Sequence, residues 1–179
     1  EDLRQLLAEL DIKRTHYCGL SMGGMIGQVL ALADPDLFDR VVLADTGHTQ
    51  TPETKKQWEE RIKTAETRGM HPLVQPTIER WFTAPFGGNP EVERIPKLIQ
   101  NTPVPGYVGC CHAISNLNTT ERLKQISNPV LAITGEQDAA APGTRYIGEH
   151  VPGAKFVSIP QAAHIANIEQ AETFNRALA

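Results

Sequence analysis

Apolar positions recur at two periods along the chain, and the alternation of the two predicts most of its elements. Leu3, Leu6, Leu7 and Leu10 stand at i, i+3, i+4 and i+7, one apolar face of an amphipathic helix. Arg14 to Gly19 is rich in β-formers and predicts a short strand. Met22 to Ala33 predicts a helix, ended by Asp34-Pro35-Asp36. Arg40-Val41-Val42-Leu43-Ala44-Asp45 is a continuous apolar run with polar ends, the signature of a strand buried on both faces; Pro129 to Thr134 and Lys155 to Ile159 are two more. Helices are expected at Thr144 to His150 and Asn167 to Ala179. Strand–helix–strand alternation of this kind implies right-handed crossovers and an α/β fold with a mainly parallel sheet.

The span from Gly47 to Ser127 breaks that rhythm. Helical patterns fill it (Glu53 to Thr67, Pro76 to Phe82, Val92 to Gln100, Val108 to Leu117), with no good strand among them. Trp58, Trp81, Phe82 and Phe86 all lie there. Helices inserted between two strands usually sit over the strand C-terminal ends, where α/β sheets bind ligands. The expected organisation is therefore residues 1–46 as the first part of a core, 47–127 as a helical cap, and 128–179 as the second part of the core. Glycine and proline are spread through the chain, and there is no internal repeat or low-complexity tract.

Composition narrows the function classes. The 179 residues suit one domain, and 40% of them are hydrophobic. A net charge of −4 without a basic block argues against a nucleic-acid partner, because phosphate binding needs clustered Lys and Arg. No stretch reaches the ~18 uninterrupted apolar residues that span a bilayer; the nearest, Gly23 to Ala33, is short and carries Gln28. Three cysteines, two of them adjacent (Cys18, Cys110, Cys111), make a poor disulfide framework and point to a reducing, cytoplasmic setting. Cys110-Cys111-His112 lacks a second ligand pair at finger-like spacing, so no metal is expected.

The sharpest chemical signal is Gly19-Leu20-Ser21-Met22-Gly23, followed by Gly24. This G-x-S-x-G stands between a predicted strand and a predicted helix, the context in which it carries a nucleophile. A serine there occupies a strained turn that lifts its hydroxyl clear of the sheet. Side chains two residues away on either side are expected to collide across the turn, which explains glycine at both places. The Met22 N–H, at the helix N-terminus, would face a carbonyl oxygen that develops negative charge.

A serine hydroxyl needs a base, and the base an orienting acid. Of six histidines, His164 stands best, directly after the last predicted strand and before the last helix. His16 lies within the nucleophile strand, His150 ends a helix, His71 and His112 belong to the cap, and His48 follows a strand end. Asp138, in the turn Gly135-Glu136-Gln137-Asp138 after a strand, presents a carboxylate towards the same rim and completes the order Ser…Asp…His. Asp45, at the end of the preceding strand, is the runner-up acid.

At this point the chain resembles the α/β-hydrolase superfamily and, more closely, the 3-oxoadipate enol-lactonases of bacterial aromatic catabolism. Cys18 to Gln28 is similar to that family's nucleophile segment. Arg80-Trp81-Phe82-Thr83 and Gly106 to Ile114, with its paired cysteines, are similar to lactonase cap sequences, and Ala162 to Glu169 to the histidine loop. The resemblance implies an α/β-hydrolase fold and a serine hydrolase that opens 3-oxoadipate enol-lactone to 3-oxoadipate, in the β-ketoadipate pathway. It implies catalytic Ser21, Asp138 and His164, an oxyanion donor at Met22, and no metal or organic cofactor. The substrate is a small lactone or ester whose carboxylate Arg80, beside Trp81, would meet. Other readings keep the triad and change the substrate (a carboxylesterase, a cofactor-free perhydrolase, a carbon–carbon bond hydrolase) or make the pocket a non-catalytic binding module. In the superfamily several strands precede the nucleophile strand, and one of their loops supplies a second oxyanion donor. The expectation is thus that an N-terminal segment, or a second chain, completes the sheet, and that Thr15 to Gly19 is otherwise a bare edge.

Overall fold

The computed structural model describes residues 1–179. Four strands, β1 (Thr15–Leu20), β2 (Phe38–Ala44), β3 (Val130–Gly135) and β4 (Lys155–Ile159), form one parallel sheet in the order β1-β2-β3-β4. Their centres are apolar on both sides because helices cover both faces. Helix α1 (Asp2–Glu9) precedes β1, and α2 (Met22–Ala33) connects β1 to β2. Between β2 and β3 run α3 (Pro52–Arg68), α4 (Val74–Trp81), α5 (Pro90–Glu93), α6 (Ile95–Gln100) and α7 (Val104–Ser115). Helix α8 (Ala141–His150) joins β3 to β4, and α9 (Ala166–Glu169) and α10 (Ala171–Leu178) end the chain.

On one face, Leu30 and Ala31 of α2 and Ile147 of α8 pack on Phe38, Val41, Leu43 and Ala132. On the other, Phe174 of α10 packs on Ala44, Ile133 and Ile159. The cap has its own core, built on Ala65, Leu73, Phe82, Ile95 and Ile99. Leu123 and Ile126, near the end of the span expected as cap, pack in the sheet core.

Several expected boundaries shift for local reasons. The Val92 to Gln100 pattern splits into α5 and α6, because Pro96 has no N–H to offer the Val92 carbonyl. Helix α7 starts earlier than expected, at Val104, since Pro105 is tolerated in a first turn. The last helix is broken at Gln170, whose φ/ψ of −132° and 54° lie outside the helical region. The apolar face of α1 is only half used: Leu7 is buried, while Leu6 and Leu10 stay exposed. β1 pairs with β2 alone and so forms one edge of the sheet. No helix is long and apolar enough to cross a membrane.

Gln28, the polar interruption in the apolar α2 run, is completely buried. Its Nε2 donates to the Gly47 carbonyl (2.9 Å), and its Oε1 accepts from Thr119 Oγ1 (2.7 Å). Thr119 N in turn donates to His48 O (2.8 Å), and Thr49 bridges Asn118. One amide side chain therefore pins both ends of the cap insertion to the helix that follows Ser21.

Candidate active site

All four strands end on the same rim, and each hands the chain to a turn that carries a candidate residue. Three of those turns use a non-glycine residue at positive φ: Ser21 after β1 (55°), Asp45 after β2 (47°) and Gln161 after β4 (57°). Such conformations cost of order 1–3 kcal/mol and persist only where the surroundings over-determine them. Ser21 is held by its N–H to Ala44 O (2.8 Å), and its carbonyl accepts from Thr46 Oγ1 (2.8 Å) and Met25 N (3.2 Å).

The glycines around Ser21 divide differently from expectation. A Cβ on Gly19 would lie 2.4 Å from the backbone of Gly23, so the collision argument holds there. A Cβ on Gly23 would meet nothing closer than Tyr17 Oη at 3.8 Å, an ordinary contact. The tightly constrained partner is Gly24, whose Cβ would lie 2.7 Å from the Thr46 side chain. Tyr17 instead caps the turn, its hydroxyl donating to Gly23 O (2.6 Å).

Ser21 Oγ lies 2.9 Å from His164 Nε2, and His164 Nδ1 lies 3.0 Å from Asp138 Oδ2. The carboxylate can only accept, so Nδ1 carries the proton and Nε2 is free to accept from the serine hydroxyl. His164 and Asp138 are buried, while Ser21 keeps partial access. Met22 opens α2, and its amide has no acceptor inside the helix. The acid turn and the histidine loop touch at Gly135, where a Cβ would sit 2.1 Å from Ala163 O, and Gln137 N donates to Ala162 O (2.9 Å).

The remaining histidines lie apart from this relay. His48 bonds Thr120 Oγ1 (2.8 Å) and stacks on Tyr146, which stacks on His150; burial, then the charge of His150, lowers the His48 pKa. His16, His71 and His112 are exposed. Asp45 does not reach His164: its Oδ1 accepts from Gly135 N (2.7 Å) and Thr134 Oγ1 (3.2 Å).

The cap contributes from above. The Trp81 ring is stacked 6.4 Å from His164, and Trp81 O accepts from Ile165 N (3.1 Å). Arg80 lies over the Trp58 ring at 5.9 Å, its Nε buried without a hydrogen-bond partner. Burial, and then the charge of Arg61, lowers its pKa to about 10, which leaves it a cation at neutral pH. Arg61, unremarked in the sequence, shares the Trp58 ring at 5.3 Å. Cys111 is buried beside Tyr107, whose hydroxyl burial pushes up to about 12.

Glu169 also escapes a sequence reading, although it stands in the quoted histidine-loop segment. It is buried, its Oε1 accepts from Thr83 N (3.0 Å) and from the Thr83 hydroxyl, and its Oε2 accepts from Ala163 N (2.8 Å). One carboxylate thus ties the cap, just beyond Trp81, to the residue before His164. A fourfold-bonded serine turn, a buried imidazole and an oriented carboxylate can together deprotonate a hydroxyl and direct it at an acyl carbon.

Residues 1–171 match the family described as alpha/beta hydrolase fold. The chain is 35% identical to 3-oxoadipate enol-lactonase 2 of Acinetobacter baylyi, over 99% of its own length and 67% of the relative's. It is 30% identical to 3-oxoadipate enol-lactonase 1 of the same organism, covering 97% of this chain and 66% of that one. The crystal structure of the enol-lactonase from Burkholderia xenovorans LB400 superposes with a TM-score of 0.92 at 34% identity, over 99% of this chain and 68% of that one. The chain therefore spans about two thirds of the length of these proteins.

Proposed function

The chain belongs to the α/β-hydrolase fold family, and from that premise we propose that it is a serine hydrolase that opens 3-oxoadipate enol-lactone to 3-oxoadipate, in the cytoplasm and in aromatic-compound catabolism. Ser21 Oγ attacks the ring carbonyl as its proton passes to His164 Nε2, and Asp138 stabilises the imidazolium. The Met22 N–H faces the oxygen that takes up negative charge. The C–O bond to the enol oxygen breaks, and that oxygen takes the proton from His164. Water then gives a proton to His164 and its oxygen to the acyl carbon; the bond from that carbon to Ser21 Oγ breaks, His164 returns the proton to Oγ, and the released enol tautomerises to the 3-oxo acid.

The observation that carries this reading is the continuous relay Ser21–His164–Asp138, with bonds of 2.9 and 3.0 Å assembled from three different loops. The lactone is favoured over a simple ester by the cap, where the half-buried Arg80, its Nε without a hydrogen-bond partner, offers a cation to a substrate carboxylate beside Trp81. The enol-lactonase relatives support the same choice.

The test pairs a fluorophosphonate probe with substrate rates. A single adduct mapped to Ser21, and a higher kcat/KM on the enol-lactone than on a neutral p-nitrophenyl ester, are the expected results. Absence of the adduct overturns the serine mechanism, and equal rates overturn the lactone.

A further inference from the structure

A second carboxyl stands directly behind the acid of the relay, and the mechanism above leaves it unused. Asp45 is completely buried and held at positive φ. Its two oxygens are treated unequally. Oδ1 accepts from Gly135 N and from Thr134 Oγ1, whereas Oδ2 is buried and receives no donor. An ionised Asp45 would leave an oxygen of its charge with neither water nor N–H, which a protein interior rarely tolerates.

No cation pairs with Asp45; the nearby guanidinium of Arg80 acts on Asp138. β3 presents Thr134 and Gly135. Thr46 and Thr144 are committed to one another, through Thr46 N to Thr144 Oγ1 (3.0 Å) and Thr144 Oγ1 to Thr46 O (2.7 Å). The titratable group that faces Asp45 is the Asp138 carboxyl, within hydrogen-bonding reach, and Asp138 spends its Oδ2 on His164. Two carboxyls in contact do not both ionise, and the charge settles on the one that has a cationic partner to form.

On this basis we infer that Asp45 retains its proton at neutral pH and donates it in an O–H hydrogen bond to Asp138, acting as a positioning residue that holds the acid turned towards His164. The inference rests on the reading of Ser21, His164 and Asp138 as the catalytic relay. Burial, aided by the Asp138 charge, pushes the Asp45 carboxyl up to about 8, against the pull of the Gly135 and Thr134 bonds. Loss of the proton above that pH puts two charges in one buried site, drives Asp138 off Nδ1 and lowers turnover.

Asp45→Asn is a close mimic of the protonated state: its carbonyl serves the Gly135 and Thr134 donors, and its amide donates to Asp138. The experiment compares wild type, D45N and D138N in pH–rate profiles that run from neutrality to well above 8, corrected for spontaneous hydrolysis. A 13C titration of the wild-type aspartate carboxyls accompanies it, independent of turnover and of whether D45N folds. The expected wild-type rate falls with an apparent pKa near 8. D45N stays within about tenfold of wild type at neutral pH and lacks that fall, while D138N loses about 10⁴-fold throughout. The Asp45 carboxyl carbon titrates near 8. A D45N profile that keeps the alkaline fall, a loss in D45N equal to that in D138N, or an Asp45 carbon titrating in the ordinary carboxylate range overturns the inference. Failure of the relay itself shows separately, as a D138N enzyme that turns over like wild type.

Discussion

Replacing Glu169 by glutamine changes one atom, and the hydrogen bonding shows why the change is not conservative. Both carboxylate oxygens accept: Oε1 from Thr83 N and the Thr83 hydroxyl, Oε2 from Ala163 N. An amide has only one oxygen. With that oxygen on Thr83, its NH₂ faces the Ala163 N–H, donor against donor; in the flipped orientation the Thr83 N–H loses its acceptor. Either way one backbone N–H in a buried site goes unpaired, at about 1–3 kcal/mol. The bonds that survive lose their charge assistance, which raises the expected total to about 2–4 kcal/mol. For a domain of this size that is a drop in Tm of roughly 5–12 °C. Because Ala163 precedes His164, the loss falls on the relay as well, and fluorophosphonate labelling of Ser21 slows by about tenfold or more. Urea unfolding followed by circular dichroism, with labelling kinetics beside it, reads both quantities. A Glu169→Gln protein within about 0.5 kcal/mol of wild type and labelled at the wild-type rate would refute the reasoning.

Ser21→Ala is expected to abolish turnover and probe labelling while circular dichroism and Tm stay near wild type; retained activity removes Ser21 as nucleophile. Gly24→Ala drives a Cβ into Thr46 and is expected to cost about 1–3 kcal/mol, whereas Gly23→Ala, with only an ordinary contact to Tyr17, is tolerated or slightly stabilising. Equal melting losses in the two variants contradict that division. Arg80→Met is expected to raise KM for the anionic lactone roughly 10–100-fold and to leave a neutral ester little affected; a uniform loss on both substrates denies Arg80 the carboxylate. Because the folded Asp45 pKa is raised, the native state binds the extra proton, so stability declines as pH rises from the ordinary carboxylate range towards about 8. Asp45→Asn is expected to flatten that decline in unfolding free energy, and an unchanged slope excludes Asp45 as its source.

The strands were legible because their signal is local. An apolar run such as Val41 to Ala44 puts buried Val41 and Leu43 on one face of the sheet and half-buried Val42 and buried Ala44 on the other. Ser21 was legible because a strand-to-helix turn at positive φ needs glycine at Gly19, whose Cβ would strike the backbone across the turn. Chain order marked Asp138 and His164 as candidates without showing that they meet. The tight position is Gly24 and not Gly23, because the obstacle is Thr46 in the loop after the next strand, which no spacing rule can see.

Periodicity and turn chemistry, both local, were enough for four strands, a helical insertion, a serine elbow, and acid and histidine on the loops that follow later strands. Which side chain partners which is settled by the folded arrangement alone. Gln28 reaches Thr119 across 91 residues, Thr83 reaches Glu169 across 86, and Ser21 reaches His164 across 143. It also decided between two aspartates that end neighbouring strands, turning Asp138 to His164 and closing Asp45 over Gly135. Polar side chains carry no periodic signature of their partners. Their bonds are fixed by the cost of leaving a buried donor or acceptor empty, and that cost exists only once packing has excluded water.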